Sequence, residues 1–146
     1  MTMKNIFKIS IFLFALQLIS CSDDNGPSKK AVATKMLTTS AWGHAQVTHT
    51  DGDLSGQYTN FSILFTDAAS TGFDGTYFIS NGGNAFSETT GKWKFNKELN
   101  QIILDSEKVM DIELDETHLQ LDFTTSAPGG KVTGLSGHFV FDLQPL

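Results

Sequence analysis

Gly91-Lys92-Trp93-Lys94-Phe95 decides the fold. Two lysines that must face water alternate with two aromatics that must then face the other way, so the period is two and the stretch is a half-buried strand. Trp93 is predicted to anchor the core. The same alternation extends on both sides. Upstream, Phe61, Ile63 and Phe65 share one face with Ser62 and Thr66 opposite, and Tyr77 and Ile79 follow the turn Gly72-Phe73-Asp74-Gly75. Downstream, Ile102 and Leu104 follow the turn from Asn96 to Asn100. Met110, Ile112 and Leu114 then alternate with Asp111 and Glu113, and Leu119, Leu121 and Phe123 continue beyond Asp115-Glu116-Thr117. Pro128-Gly129-Gly130 breaks the chain, and Phe139, Phe141 and Leu143 close it.

With a strand near Trp42–Thr48 and another near Val132–Leu135, the sequence predicts about eight to nine short strands joined by tight turns. The fold class is therefore all-β and antiparallel, as an up-and-down barrel or a sandwich. Closing the sheet removes exposed edges and favours the barrel. Helix propensity is confined to Ala31–Thr39, a short turn suited to plugging one end.

The order of several weak motifs resembles the small lipocalin-like domains of bacterial lipoproteins. The resemblance rests on Leu37 followed by Ser40-Ala41-Trp42, then Phe65, Phe73-Asp74-Gly75-Thr76-Tyr77, Gly91-Lys92-Trp93, Leu119 and Gly137-His138-Phe139-Val140-Phe141. It covers residues 36–144 and departs from the family where Ala41-Trp42-Gly43 stands in place of Gly-x-Trp. It implies a lipocalin-like barrel that holds one small apolar ligand, or a related binding module.

Ahead of this domain, an apolar run from Ile9 to Leu18, flanked by Lys4 and Lys8, is about half the twenty residues a membrane span needs. It ends in Leu18-Ile19-Ser20-Cys21, which resembles a bacterial lipoprotein signal. Cys21 is the only cysteine. The expected organisation is a signal peptide at 1–20, an acylated Cys21 and flexible tether at 21–35, and the barrel domain at 36–146. Each buried acyl methylene would contribute roughly 0.8 kcal/mol to anchoring. Ser22-Asp23-Asp24 fits sorting to the bacterial outer membrane and display on the cell surface.

Charge excludes some functions. The chain has 16 carboxylates against 10 basic residues, all of them lysines, and loses Lys4 and Lys8 with the signal. An acidic chain without arginine lacks the clustered cations and bidentate forks that nucleic acids require. Metal and catalytic patterns are equally thin. Asp51, Asp53 and Ser55, with Gly56 following, imitate the start of a calcium loop, but its twelfth position is Ser62 rather than glutamate, so an acidic hairpin connection is expected. His44, His49, His118 and His138 lack metal-ligand spacing and are expected as surface or satisfied histidines. The carboxylates from Asp105 to Glu116 read as a solvated strand face, with Asp111 and Glu113 outward. No nucleophile elbow or phosphate loop occurs.

The remaining candidates are aromatic. Trp42, Phe61, Phe65, Tyr77, Trp93, Phe95, Phe123 and Phe139, with Phe86 and Phe141, form either a ligand-cavity lining or a filled interior. The bulk of this set in so short a domain favours filling. The sequence thus predicts a non-enzymatic, lipid-anchored domain without a cofactor. It would bind a small apolar ligand or a protein or glycan partner, or else be a solid-core interaction module.

Overall fold

Each alternating run folds as a strand hydrogen-bonded to the next one along the chain. The computed structural model describes residues 26–126 and 136–146. Within them lie one helix, α1 (Lys29–Thr38), and nine strands: β1 (Trp42–His49), β2 (Gly52–Asp53), β3 (Ser62–Thr66), β4 (Gly75–Ser80), β5 (Thr90–Phe95), β6 (Gln101–Leu104), β7 (Val109–Leu114), β8 (Leu119–Thr125) and β9 (Gly137–Pro145). All pairings are antiparallel. β1 also pairs with β9, from Trp42 opposite Pro145 to His49 opposite Phe139, and this closes an eight-stranded barrel. β2 is an extra two-residue strand turned back on the end of β1. The fold is all-β and lipocalin-like. The strand expected near Val132–Leu135 and the Pro128-Gly129-Gly130 break lie outside the described residues.

Trp93 is fully buried and Phe95 nearly so, while Lys92 is exposed and Lys94 half-buried. Strand register then explains two glycine-aromatic pairs. Gly75 stands opposite Trp93, and Tyr77 stands opposite Gly91, so each aromatic lies across the glycine of the other motif. The Trp93 indole N–H donates to the Thr66 carbonyl at 3.0 Å. A Cβ on Gly75 would overlap that same carbonyl and stand 2.7 Å from Trp93 Nε1, and one on Gly91 would stand 2.8 Å from Tyr77 Oη. Gly75 has no room for a side chain, and at Gly91 the Asp105 carboxylate and the Tyr77 hydroxyl would have to move.

In β1 the alternation breaks once. Trp42 and Gly43 are both buried, and then Ala45, Val47 and His49 face inward. The register against β9 shifts between Gly43 and Gln46, and His44 takes φ 51°. This bulge inserts one residue and lets an even-numbered tryptophan share the interior with odd-numbered neighbours.

α1 closes the end of the barrel at which β1 begins. The Ser28 hydroxyl accepts from the Ala31 amide at 3.1 Å and caps its first turn. Leu37 is its one buried residue, and the Trp42 indole donates to the Leu37 carbonyl at 2.9 Å. Lys30 Nζ binds the Asp74 carboxylate at 2.6 Å, tying the helix to the loop before β4. The helix starts at Lys29, inside the stretch read from sequence as tether. That cap and the Lys30–Asp74 tie order residues whose composition alone carries no strand or core signal.

Candidate functional site

Cys21 and residues 1–20 lie outside the described residues, so the structure bears on the domain behind them. There, the aromatics singled out from sequence converge on the barrel interior. Trp42, Phe61, Phe65, Tyr77, Trp93, Phe123 and Phe139 are 0–3% exposed, and Phe95 is 6% exposed. The wall of a ligand cavity would keep surface that a water-sized sphere can reach, and these side chains keep almost none. They touch one another instead. Phe61 lies 4.9 Å from Phe141 and 5.6 Å from Phe86, Phe123 lies 5.0 Å from Phe86 and 5.8 Å from Phe139, and Phe65 meets Trp93 edge-on at 5.7 Å. Tyr58, Phe86 and Phe141 complete this packing at the end of the barrel opposite α1.

That end carries a polar cluster which strand alternation does not announce. Lys108, in the β6–β7 turn, reaches over the Phe86 and Phe123 rings at 4.5 and 5.1 Å. It donates to the Ala85 carbonyl at 2.7 Å and pairs with Glu88 at 3.5 Å. The ammonium thus ties the β4–β5 and β6–β7 loops together above the aromatic core. Burial pushes the Lys108 pKa down against the pull of Glu88. Burial would raise that of Glu88, but hydrogen bonding from Ser106 and its own amide, with Lys108 nearby, holds it below the ordinary value. Tyr77 points its hydroxyl toward the same corner. Burial first, then the Glu88 and Asp105 carboxylates, push its pKa up to about 12. The resulting groups are a protonated phenol, an ionised carboxylate and a desolvated ammonium. Among the described residues the Tyr77 hydroxyl has no hydrogen-bond partner.

The other candidates separate. In the Asp51–Ser55 loop, Asp53 Oδ1 accepts from the amide and hydroxyl of Ser55, at 2.8 and 2.6 Å, while Ser55 Oγ accepts from the Val47 amide. The oxygens that imitate a calcium loop therefore bind the chain's own donors. Asp51 is exposed beside them. Among the described residues no group of three histidine, cysteine, aspartate or glutamate side chains could hold a metal.

Three histidines are exposed or half-buried, and His118 and His138 are paired, at 2.7 Å with Asp142 and 2.6 Å with Asp122. His49 differs from the expectation of surface or satisfied histidines. It is 4% exposed and lies 4.4 Å from the Phe139 ring. The Asp51 amide donates to Nδ1 at 3.1 Å, which leaves the ring proton on Nε2, and Nε2 has no partner among the described residues. Its odd position in β1 puts it in phase with Ala45 and Val47, and the bulge keeps that phase inward.

Outside, the barrel has two contrasting walls. The outward positions of β7, β8 and β9 include Asp111, Glu113, Asp122 and Asp142 and no lysine. Those of β3, β4 and β5 are Ser62, Leu64, Thr66, Thr76, Phe78, Ser80, Thr90, Lys92 and Lys94, without a carboxylate. Phe78 is 51% exposed and sits directly across from Leu64, itself 37% exposed. Phe78 takes the outward phase because Tyr77 and Ile79 claim the inward one, and an aromatic in that phase is the signal its sequence position carries. No family model matches the chain, and a comparison with curated proteins finds no match.

Proposed function

We propose that this chain is an outer-membrane lipoprotein, acylated at Cys21, whose lipocalin-like barrel is a non-enzymatic interaction module that engages its partner through its outer surface. The packed inner face carries this reading: the inward aromatics are 0–6% exposed and present almost no surface to a small apolar ligand. Support for the anchor comes from the short apolar run ending in Leu18-Ile19-Ser20-Cys21 and from the absence of any second cysteine. Ser22-Asp23-Asp24 supports display on the outer face of that membrane. In the polar cluster of Tyr77, Glu88 and Lys108, the ammonium is held by Glu88 and by the Ala85 carbonyl and ties two loops together, which supports a structural role for it.

Native mass spectrometry of the full chain extracted from membranes tests the surface reading. The expected mass is that of the acylated polypeptide alone. The barrel topology also suits an interior ligand, and a stoichiometric apolar molecule released on denaturation would establish that function instead. For the anchor, cells fed a fatty-acid analogue should label the wild-type chain and leave Cys21→Ala unlabelled. Label persisting on Cys21→Ala overturns it.

A further inference from the structure

We infer that the β3–β5 wall is a binding face for an acidic glycan, an inference that rests on the surface-interaction reading above and names the partner. In a chain with 16 carboxylates, the nine outward positions of these three strands carry none. Three carboxylates lie at its rims: Asp67, exposed and directly after Thr66, Asp74 before Gly75, and Asp105 after Leu104. Asp74 is already held by Lys30 Nζ and by the Phe95 amide at 2.9 Å. Lys92 and Lys94 bracket the Phe73 ring at 5.7 and 5.6 Å, and among the described residues neither makes an ion pair. Two cations therefore stand beside an aromatic face with their charge available.

Phe78 and Leu64 form the adjacent apolar step, and Thr76, which opposes Lys92 across β4 and β5, joins the two features. Around them stand the Ser62 and Ser80 hydroxyls, while those of Thr66 and Thr76 bond to each other at 2.7 Å and that of Thr90 donates to the Tyr77 carbonyl at 2.9 Å. Side-chain rows repeat across neighbouring strands at about 4.8 Å, the scale of one sugar ring. An exposed ring accepts the apolar face of a pyranose, hydroxyls exchange hydrogen bonds with its rim, and lysines pair with uronate, sulfate or phosphate groups. The apolar area argues against a protein partner, since two exposed apolar side chains cannot form the core of a stable interface of about 800 Å² per side. The acidic β7–β9 wall repels the same ligand and leaves one face for it.

Calorimetric titration of the full-length protein in detergent, with polygalacturonate as probe and neutral dextran of matched length as control, tests this. Binding to polygalacturonate that weakens with added salt and exceeds binding to dextran at least tenfold is expected. Lys92→Gln combined with Lys94→Gln, and separately Phe78→Ser, should each lower the affinity about tenfold while the thermal midpoint stays near wild type. Asp122→Asn on the opposite wall should leave the affinity unchanged or slightly raised. No binding to polygalacturonate, equal binding to dextran, or binding indifferent to the β5 lysines and Phe78 overturns the inference. Crosslinking of Phe78 positions to an envelope protein with no glycan binding overturns it in favour of a protein partner. Its failure is separable from that of the surface-interaction reading. A chain that is acylated at Cys21 and free of interior ligand, but does not bind the glycan, keeps that reading and loses this one.

Discussion

The β3–β5 and β7–β9 walls use the same backbone plan and reach opposite surfaces. Both are antiparallel meanders with period-two alternation, and both bury most of their inward positions, Ile112 and Leu114 of β7 being partly buried. Inside, β3–β5 interlocks two aromatics with two glycines, whereas β7–β9 packs Met110, Leu119, Leu121, Phe123, Phe139, Phe141 and Leu143 side by side. Outside, one wall shows hydroxyls, lysines and an exposed phenylalanine, and the other shows four carboxylates and two histidine–aspartate pairs. The inward phase is constrained by burial, which contributes roughly 25 cal/mol per Å² of apolar surface. The outward phase is released from that constraint, and there the two walls diverge.

The largest test of the contrast is steric. Gly75→Ala adds one carbon where the Thr66 carbonyl and Trp93 already sit, and backbone and indole cannot both retreat. Its cost should reach about 3 kcal/mol, the upper end of overpacking penalties. Phe141→Ala in β9 removes a whole ring and should cost a comparable 3–5 kcal/mol, or about that, as a cavity. Urea unfolding of both variants compares the walls directly. A Gly75→Ala cost under about 1 kcal/mol would show that the β4–β5 interlock yields, and the distinction between the two interiors would fall.

Sequence reading recovers the inward phase and fails where chemistry does not follow the period. Trp93, Tyr77 and Phe65 are legible because lysine or threonine neighbours set their direction, and closure follows from many short strands that cannot all be edges. The β1 bulge at His44 is not legible, since nothing local distinguishes an inserted residue from a continuous strand. Nor is the Lys108 tie to Glu88 and Ala85, which joins two loops 20 or more positions apart in sequence. The short helix is legible from Ala31 onward, but its start at Lys29 is not, because Lys29 and Lys30 are exposed and carry no core signal. Phe78 carries its signal plainly, but the signal concerns function and not fold.

Next in size is an alkaline effect centred on Tyr77 of the glycine-interlocked wall. Above pH 10 the unfolded chain releases the Tyr77 proton, while the folded chain holds it until about pH 12. The folded state then binds more protons, so this contribution is complete below pH 10 and lost as pH rises through that window. Tyr77→Phe should flatten the fall in urea midpoint between neutral and strongly alkaline solution, and should remove the latest-titrating part of the tyrosinate absorbance. Tyr58, also raised by burial, supplies the remainder. An unchanged alkaline slope in Tyr77→Phe would place the effect outside this wall.

The smallest effect belongs to the acidic wall. Asp111 of β7 stands directly opposite Asp122 of β8, a like-charge pair that costs a few tenths to about 1 kcal/mol at low ionic strength. Each carboxylate has a donor that eases the cost: Gln101 Nε2 reaches Asp111 Oδ1 at 2.7 Å, and His138 Nε2 reaches Asp122 Oδ1 at 2.6 Å. Asp111→Asn keeps an oxygen for Gln101 and removes one charge, so it should raise the urea midpoint slightly in dilute buffer. At physiological ionic strength, where the Debye length is about 8 Å, the gain should shrink. Lys92→Gln on the other wall faces no opposed lysine and should leave the midpoint unmoved at either salt concentration. A destabilising Asp111→Asn would mean that the carboxylate is worth more as a hydrogen-bond acceptor than it costs as a charge, and the acidic wall would then be a structural device rather than a repulsive face.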